Sequence, residues 1–300
     1  ALVAAKLAEG GSEGATGVGG TGVVGTLRGG RGTRSSGVRA DLDAGRMGGG
    51  GALRMMADGL FDRFACDAIF ALHNSPGLPT GQFAFRSGPA MASSDYATIR
   101  LHGIGGHGAL PHTTADPLVA AASVVMALQT IVARNVDPLL SAVVTVGALH
   151  AGQANNVIPQ QAQLEMSVRA LDPKVRALLR ERIHELVQQQ AASFRVRAEI
   201  DWREGYAVLV NSECETALAA TVARRLFGDD RVTDPTPALM ASEDFAFMLE
   251  RVPGCYLFVG NGAEGTPGGC MVHNPSYDFN DEIIEPATRF WAALVQECLR

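Results

Sequence analysis

Residues 94–203 constrain the fold of this chain more than any other stretch. YATIRLHG (residues 96–103) alternates apolar and polar positions and predicts a strand. Asp116-Pro117 then predicts the start of a helix running to about Asn135. Asp at the cap offers an acceptor to the free amides of the first turn, and Pro at the first helical position lacks only an N–H that would be unpaired anyway. SAVVTVGAL and QAQLEMSVRA read as two further strands. A second pair, Asp172-Pro173, opens a helix to about Gln190, and FRVRAEIDW closes the pattern as a strand. The order β-α-β-β-α-β is that of a ferredoxin-like split unit. Helices cover one face of such a sheet and its edges stay open, which suits it to dimerisation with a second copy.

The flanks, residues 1–93 and 204–300, then make up a second domain interrupted by this insertion. They contain a helical stretch GALRMMADGLFDRF, an apolar strand DAIFAL, a helix around Ala217–Phe227, a strand CYLFVG and a C-terminal helix near Glu285–Leu299. Helices alternating with apolar strands predict an α/β domain with helices on both faces of a mixed sheet. Residues 1–51 hold 17 of the 35 glycines, and a short strand pair is expected there, GVVGTLRGG with SSGVRADLDA.

A net charge of −6 and a pI near 5.7 give no basic footprint for nucleic acid. No run of 18 apolar residues is present, so a membrane span is not expected. The apolar start ALVAAKLAEGG lacks a basic leader and a small-residue cleavage site. The five cysteines are dispersed without CxxC spacing, which reads as reduced thiols of a cytoplasmic protein.

Several residues carry chemistry worth weighing. His73 follows the apolar strand in ALHNSPGLP, where α/β sheets place ligands, and His273 lies in MVHNPSYDFND. Both could ligate a metal; both also fit structural histidines in turns. His107 in GIGGHGALPH, five residues before His112, could donate to a developing oxyanion or could be a solvated hairpin histidine. Asn156 and Arg169 bracket the turn between two strands of the inserted unit, where an amide and a guanidinium fork could clamp a carboxylate. Glu243 and Asp244 precede a helix, so an N-cap by Ser242 or Asp244 explains most of that signal. Asp41 and Asp43 alternate on one side of a strand and could serve acid–base work, although a solvated strand end fits as well. GVGGTG (residues 17–22) spells a dinucleotide fingerprint, but a helix-like stretch precedes it and a strand-like one follows, the reverse of what that motif needs.

Taken together, GGTGVVGTLRGGRGTRS, GVRADLDA, GGGGALRMMADGLF, ALHNSPGLPTGQFAFRSGPAMASSD, GIGGHGALPHTTADP, AGQANNVIP, ASEDFAFML and MVHNPSYDFND resemble the hippurate hydrolase / N-acyl-L-amino-acid amidohydrolase group of the carboxypeptidase/aminoacylase metallopeptidases, which includes the auxin-conjugate hydrolases. The resemblance runs over nearly the whole chain. It implies a catalytic α/β domain with an inserted dimerisation (lid) domain, a homodimer or higher homo-oligomer, and hydrolysis of N-acyl amino acids at one or two divalent ions such as zinc, manganese, nickel or cobalt. His73 and His273 match two metal ligands. His107 matches a lid histidine that reaches the partner's site and steadies the tetrahedral intermediate. Asn156 and Arg169 match residues holding the substrate carboxylate, and Glu243 matches an acid near the site.

The chain departs from that pattern at one place. The family carries an H-A-C-G-H-D segment and a later Q-P-A-E-E segment between the counterparts of RADLDA and GGGGALRMM. These supply a cysteine, a histidine and a carboxylate ligand, together with the general base. Here Ala44 leads through three residues into Gly48, no histidine precedes His73, and no Glu-Glu pair occurs. An internal deletion is the simplest account, and it leaves the metal site incomplete.

Overall fold

The computed structural model describes residues 2–27, 35–39 and 50–299. Asp41, Asp43 and the junction at Ala44–Gly48 lie outside the described residues. In chain order the elements are α1 (Leu2–Glu9), β1 (Glu13–Val18), β2 (Gly22–Thr26), β3 (Ser36–Arg39), α2 (Gly50–Ala57), α3 (Leu60–Arg63), β4 (Ala68–Gly77), β5 (Phe83–Ala84) and β6 (Gly88–Met91). Then come β7 (Asp95–His102), β8 (Gly106–His107), α4 (Pro117–Asn135), β9 (Ala142–Ala151), β10 (Val157–Ile158), β11 (Gln161–Ala170), α5 (Pro173–Ser193) and β12 (Arg197–Glu204). The chain ends with β13 (Leu209–Asn211), α6 (Glu213–Phe227), β14 (Val232–Thr233), α7 (Phe245–Leu249), β15 (Gly254–Ala263) and α8 (Ile284–Cys298). Two compact units result. One comprises residues 1–90, 209–238 and 243–300; the other comprises 91–208 and 239–242.

The second unit has the antiparallel order β12-β7-β11-β9. With α4 and α5 in the crossovers, this is the ferredoxin-like split unit. Both Asp-Pro pairs cap as their chemistry dictates: Asp116 accepts from the Leu118 and Val119 amides, and Asp172 from those of Lys174 and Val175. Leu179, Ile183, Val187 and Ala191 recur every fourth residue of α5 and are fully buried with Ile99, Leu101 and Leu164 of the sheet. Each of the larger side chains contributes about 1.5–3 kcal/mol by leaving water. α4 is long and apolar enough to cross a membrane, with a mean hydropathy of 1.6. Yet Ala120, Ala121, Val124, Leu128 and Ile131 are wholly buried in this core, which marks it as the inner helix of the unit.

The first unit is built on a mixed sheet of order β14-β5-β15-β4-β3. β15 runs parallel to β4 and antiparallel to β5, and β3 is parallel to β4. Strand alternation sends Phe70 of β4 and Cys255, Leu257 and Val259 of β15 to one face, where they pack with Ala219, Ala223, Phe290 and Leu294 of α6 and α8. The opposite face carries His73, Tyr256 and Phe258, with Phe245 of α7 against Tyr256. Helices thus cover both faces.

Three local readings are corrected. The stretch GALRMMADGLFDRF is two helices, because Gly59 adopts φ +78 and breaks the backbone between α2 and α3. GVVGT and SGVR are both strands but belong to different sheets: β2 forms a hairpin with β1, whereas β3 joins β4. GVGGTG spans the turn of that hairpin, between two strands rather than between a strand and a helix.

Candidate active site

His73 and Glu243 of the first unit lie on the α7 side of its mixed sheet. His73 does not follow β4, as its position after the apolar run suggests; the strand continues through it to Gly77, and His73 is in register with Phe258. Its ring is half-buried and 6.3 Å from that of Tyr256. Nδ1 lies 2.7 Å from the Asn74 carbonyl, a contact that orients the ring.

Glu243 is 9% exposed. Its Oε2 accepts from the Tyr256 hydroxyl at 3.2 Å and its Oε1 from the Phe245 amide at 3.3 Å. Two donors thus hold one buried carboxylate. Tyr256 therefore joins Glu243 to His73 through one ring. Sequence reading overlooked Tyr256, although alternation in CYLFVG sets it opposite Cys255 and Leu257.

Asp244 stands at the cap position of α7 but makes no side-chain hydrogen bond to that helix. Its Oδ2 accepts from the Ala52 amide at 2.8 Å instead, capping α2. The expected N-cap is thus a cap for another helix. Gly50 at its N-terminus has φ +65, and a Cβ there would meet the Asp244 carboxylate at 2.2 Å.

His273 is exposed on a turn with φ +65, a left-handed conformation uncommon outside glycine. Its segment is tied down on both sides. The buried Asn261 amide donates to the Gly268 and Asp278 carbonyls at 2.7 and 3.0 Å, and the Asn74 amide donates to the Tyr277 hydroxyl at 2.6 Å. The residue after His73 thus holds the residue four beyond His273. Among the described residues no three His, Cys, Asp or Glu side chains form a group able to hold a metal ion.

In the second unit, His107 and Asn156 come together. Val157 pairs with His107 in the β8–β10 ladder, and the Gly108 amide donates to the Asn156 carbonyl at 2.8 Å. Gly108 permits this approach, since a Cβ there would sit 3.1 Å from the Asn156 backbone. The Ala109 amide donates to His107 Nδ1 at 3.0 Å. Both His107 and Asn156 are exposed. Arg169, however, lies near the far end of β11, in register with Val143 at the start of β9. Eight residues of extended chain separate it from Gln161, roughly 26 Å at strand rise. Asn156 and Arg169 of one chain therefore do not bracket a common turn and cannot clamp one carboxylate. Instead, Arg169 Nη1 donates to the Met240 carbonyl at 2.9 Å.

An α/β unit interrupted by a ferredoxin-like unit, with His73 and the buried Glu243 both in contact with Tyr256, is the architecture of this chain. Residues 44–297 match peptidase family M20/M25/M40, and the chain belongs to that family. It is 35% identical to the hippurate hydrolase of Campylobacter jejuni, over all of this chain and 91% of that one. It is also 35% identical to an N-acetyl-L-cysteine deacetylase of Bacillus subtilis, over 81% of this chain but 56% of the relative. Among solved structures it resembles an aminohydrolase from methicillin resistant Staphylococcus aureus, with TM-score 0.77, 26% identity, and coverage of 85% and 64% of the two chains. It also resembles the Bacillus subtilis YXEP protein, a dinuclear metal binding peptidase of the M20 family, with TM-score 0.69, 28% identity, and coverage of 84% and 62%. The chain thus spans less than two thirds of these last three relatives. The alignment with the hippurate hydrolase runs to 352 positions against 300 residues here, so at least 52 of its positions have no counterpart in this chain.

Proposed function

We propose that this chain carries the remaining part of an N-acyl-amino-acid amidohydrolase site, of the kind that splits a hippurate-like amide into a carboxylic acid and an amino acid. The observation that carries the reading is whole-chain similarity to a hippurate hydrolase, combined with the retention of His73, His273, Glu243, His107, Asn156 and Arg169. His73 and His273 would be ligands of a divalent ion such as zinc, manganese, nickel or cobalt. Two imidazoles fall short of the three protein ligands that a catalytic zinc site normally uses, so the residues present do not complete the site.

The lid residues keep roles that do not depend on it. The ring of His107 can donate to an oxyanion, and Asn156, held beside it, can donate to a substrate carboxylate. Because Arg169 lies at the other end of β11, a carboxylate held by both Arg169 and Asn156 would take them from two copies of the chain. This supports a homodimer or higher homo-oligomer as the working form. The free thiols Cys66, Cys214, Cys255, Cys270 and Cys298 support a reducing compartment such as the cytoplasm.

A panel of N-acetyl and N-benzoyl amino acids, assayed for amine release with each of the four metals added, tests the reading. With the missing segment grafted in from a relative, turnover is expected. A grafted, folded protein that binds metal and cleaves none of the panel would refute the substrate class. The absent third ligand beside an intact ferredoxin-like unit favours a second reading, a non-catalytic dimeric binding protein; micromolar binding of N-acyl amino acids by the ungrafted chain without turnover would support it.

A further inference from the structure

Arg169 has a role in the structure that a substrate clamp does not require. Residues Leu239–Ser242 return to the ferredoxin-like unit as a short strap. The Ala92 amide donates to the Leu239 and Ala241 carbonyls at 3.0 and 2.9 Å, and Leu239 bridges Met91. The Ser93 amide and hydroxyl both donate to the Ala170 carbonyl, at 2.8 and 3.2 Å, which fixes residues 91–93 to the end of β11. The strap's second residue, Met240, is held by Arg169 Nη1 at 2.9 Å. Its chain continues directly into Glu243.

We propose that Arg169 is a positioning residue that anchors the Leu239–Ser242 strap, the backbone that continues into Glu243. Calling Glu243 a site residue rests on the amidohydrolase reading; the anchoring does not. The strap is held to its unit by the Met91–Leu239 bridge, by the Ala92 amide shared between two of its carbonyls, and by the Arg169 guanidinium. A shared amide is weak in each direction, whereas a hydrogen bond from a charged donor is about twice as strong as a neutral one. Arg169 is half-buried beside Ala170, which is fully buried in the core, so its stem is fixed by β11 and its fork has little freedom to lose. Arg100, by contrast, projects from β7 into an exposed ion pair with Glu199 and provides a control that leaves the strap alone.

Amide hydrogen exchange on the full chain tests this without metal or substrate, so its failure is separable from failure of the amidohydrolase reading, which turnover measures. Arg169→Ala is expected to speed exchange of the Ala92 amide and of the amides between Met240 and Phe245 by about tenfold or more, the amount a lost charge-assisted hydrogen bond implies. Amides of β7 and β11 should keep wild-type protection. Arg169→Lys retains a cationic donor and is expected to stay within about threefold of wild type, and Arg100→Ala to match it. Should Arg169→Ala fail to fold, Arg169→Gln against Arg169→Lys gives the same comparison. Strap amides that exchange equally in wild type and in the Ala or Gln variant would overturn the proposal, as would a Lys variant as exposed as the Ala one.

Discussion

The carboxylate of Asp244 caps a helix that begins 194 residues earlier in the chain, accepting the Ala52 amide of α2 at 2.8 Å. α2 is the first described element after the junction at Ala44–Gly48. The residue beside Glu243 thus secures the start of α2.

Asp244→Ala is therefore expected to destabilise the first unit by about 1–2 kcal/mol, the usual range for a lost cap, while Asp244→Asn should recover most of it. Gly50→Ala should be at least as damaging, since it adds both an unfavourable φ and a clash with the same carboxylate. Urea denaturation followed by far-UV circular dichroism, with midpoints compared at constant slope, measures both.

What was legible in the sequence follows the range of the interaction. Asp116 and Asp172 cap helices two and three residues away, so both starts could be read directly, and alternation gave the strands of the ferredoxin-like unit. Asp244 sits before α7 and looks like its cap; only the fold reveals that its partner is 192 residues distant. Asn156 and Arg169 are 13 residues apart yet sit towards opposite ends of β11, because the turn comes before the strand rather than at its middle. The break at Gly59 was hidden by a periodic apolar pattern on both sides of it.

The ferredoxin-like unit has its own dependence on a distant pair. Asp95 is 2% exposed, pairs with Arg176 Nε and Nη2 at 2.8 and 2.6 Å, and accepts the Gly205 amide at 3.1 Å. Asp95→Ala leaves the Arg176 guanidinium and the Gly205 amide without this partner and is expected to cost about 3–5 kcal/mol. Thermal unfolding should show a correspondingly lower midpoint, with Arg180→Ala, in an exposed pair with Glu204, changing it little.

Cys255 gives a pH signature. It is wholly buried, and burial pushes its thiol up to about 12; Thr216 opposes this by hydrogen bonding, while the nearby carboxylates of Asp234 and Glu215 add to it. In the unfolded chain the thiol ionises near its ordinary value of 9.0, so above that pH the unfolded state holds fewer protons than the folded one. Stability from this group is complete below pH 9 and falls as pH rises towards 12. Cys255→Ala should flatten that slope. In a native titration with a maleimide at pH 8, the exposed Cys214 should react and Cys255 only after unfolding.

The placement of His107 and His73 in separate units allows a test of subunit sharing in a protein with the missing segment restored. Grafted His73→Ala and grafted His107→Ala should each be inactive. If a site draws its His107 from the partner, mixing the two in equal amounts regenerates one intact site in each heterodimer, about a quarter of all sites. Activity staying at the level of the separate variants would place His107 in the same chain's site.

The account turns on whether the chain as it stands can hold a catalytic metal. Equilibrium dialysis against zinc and manganese, with bound metal read by mass spectrometry, should find far less than one ion per ungrafted chain and one or two per grafted chain, with loss of the grafted signal in His73→Ala. An ungrafted chain that retains stoichiometric metal and hydrolyses N-benzoylglycine would contradict it.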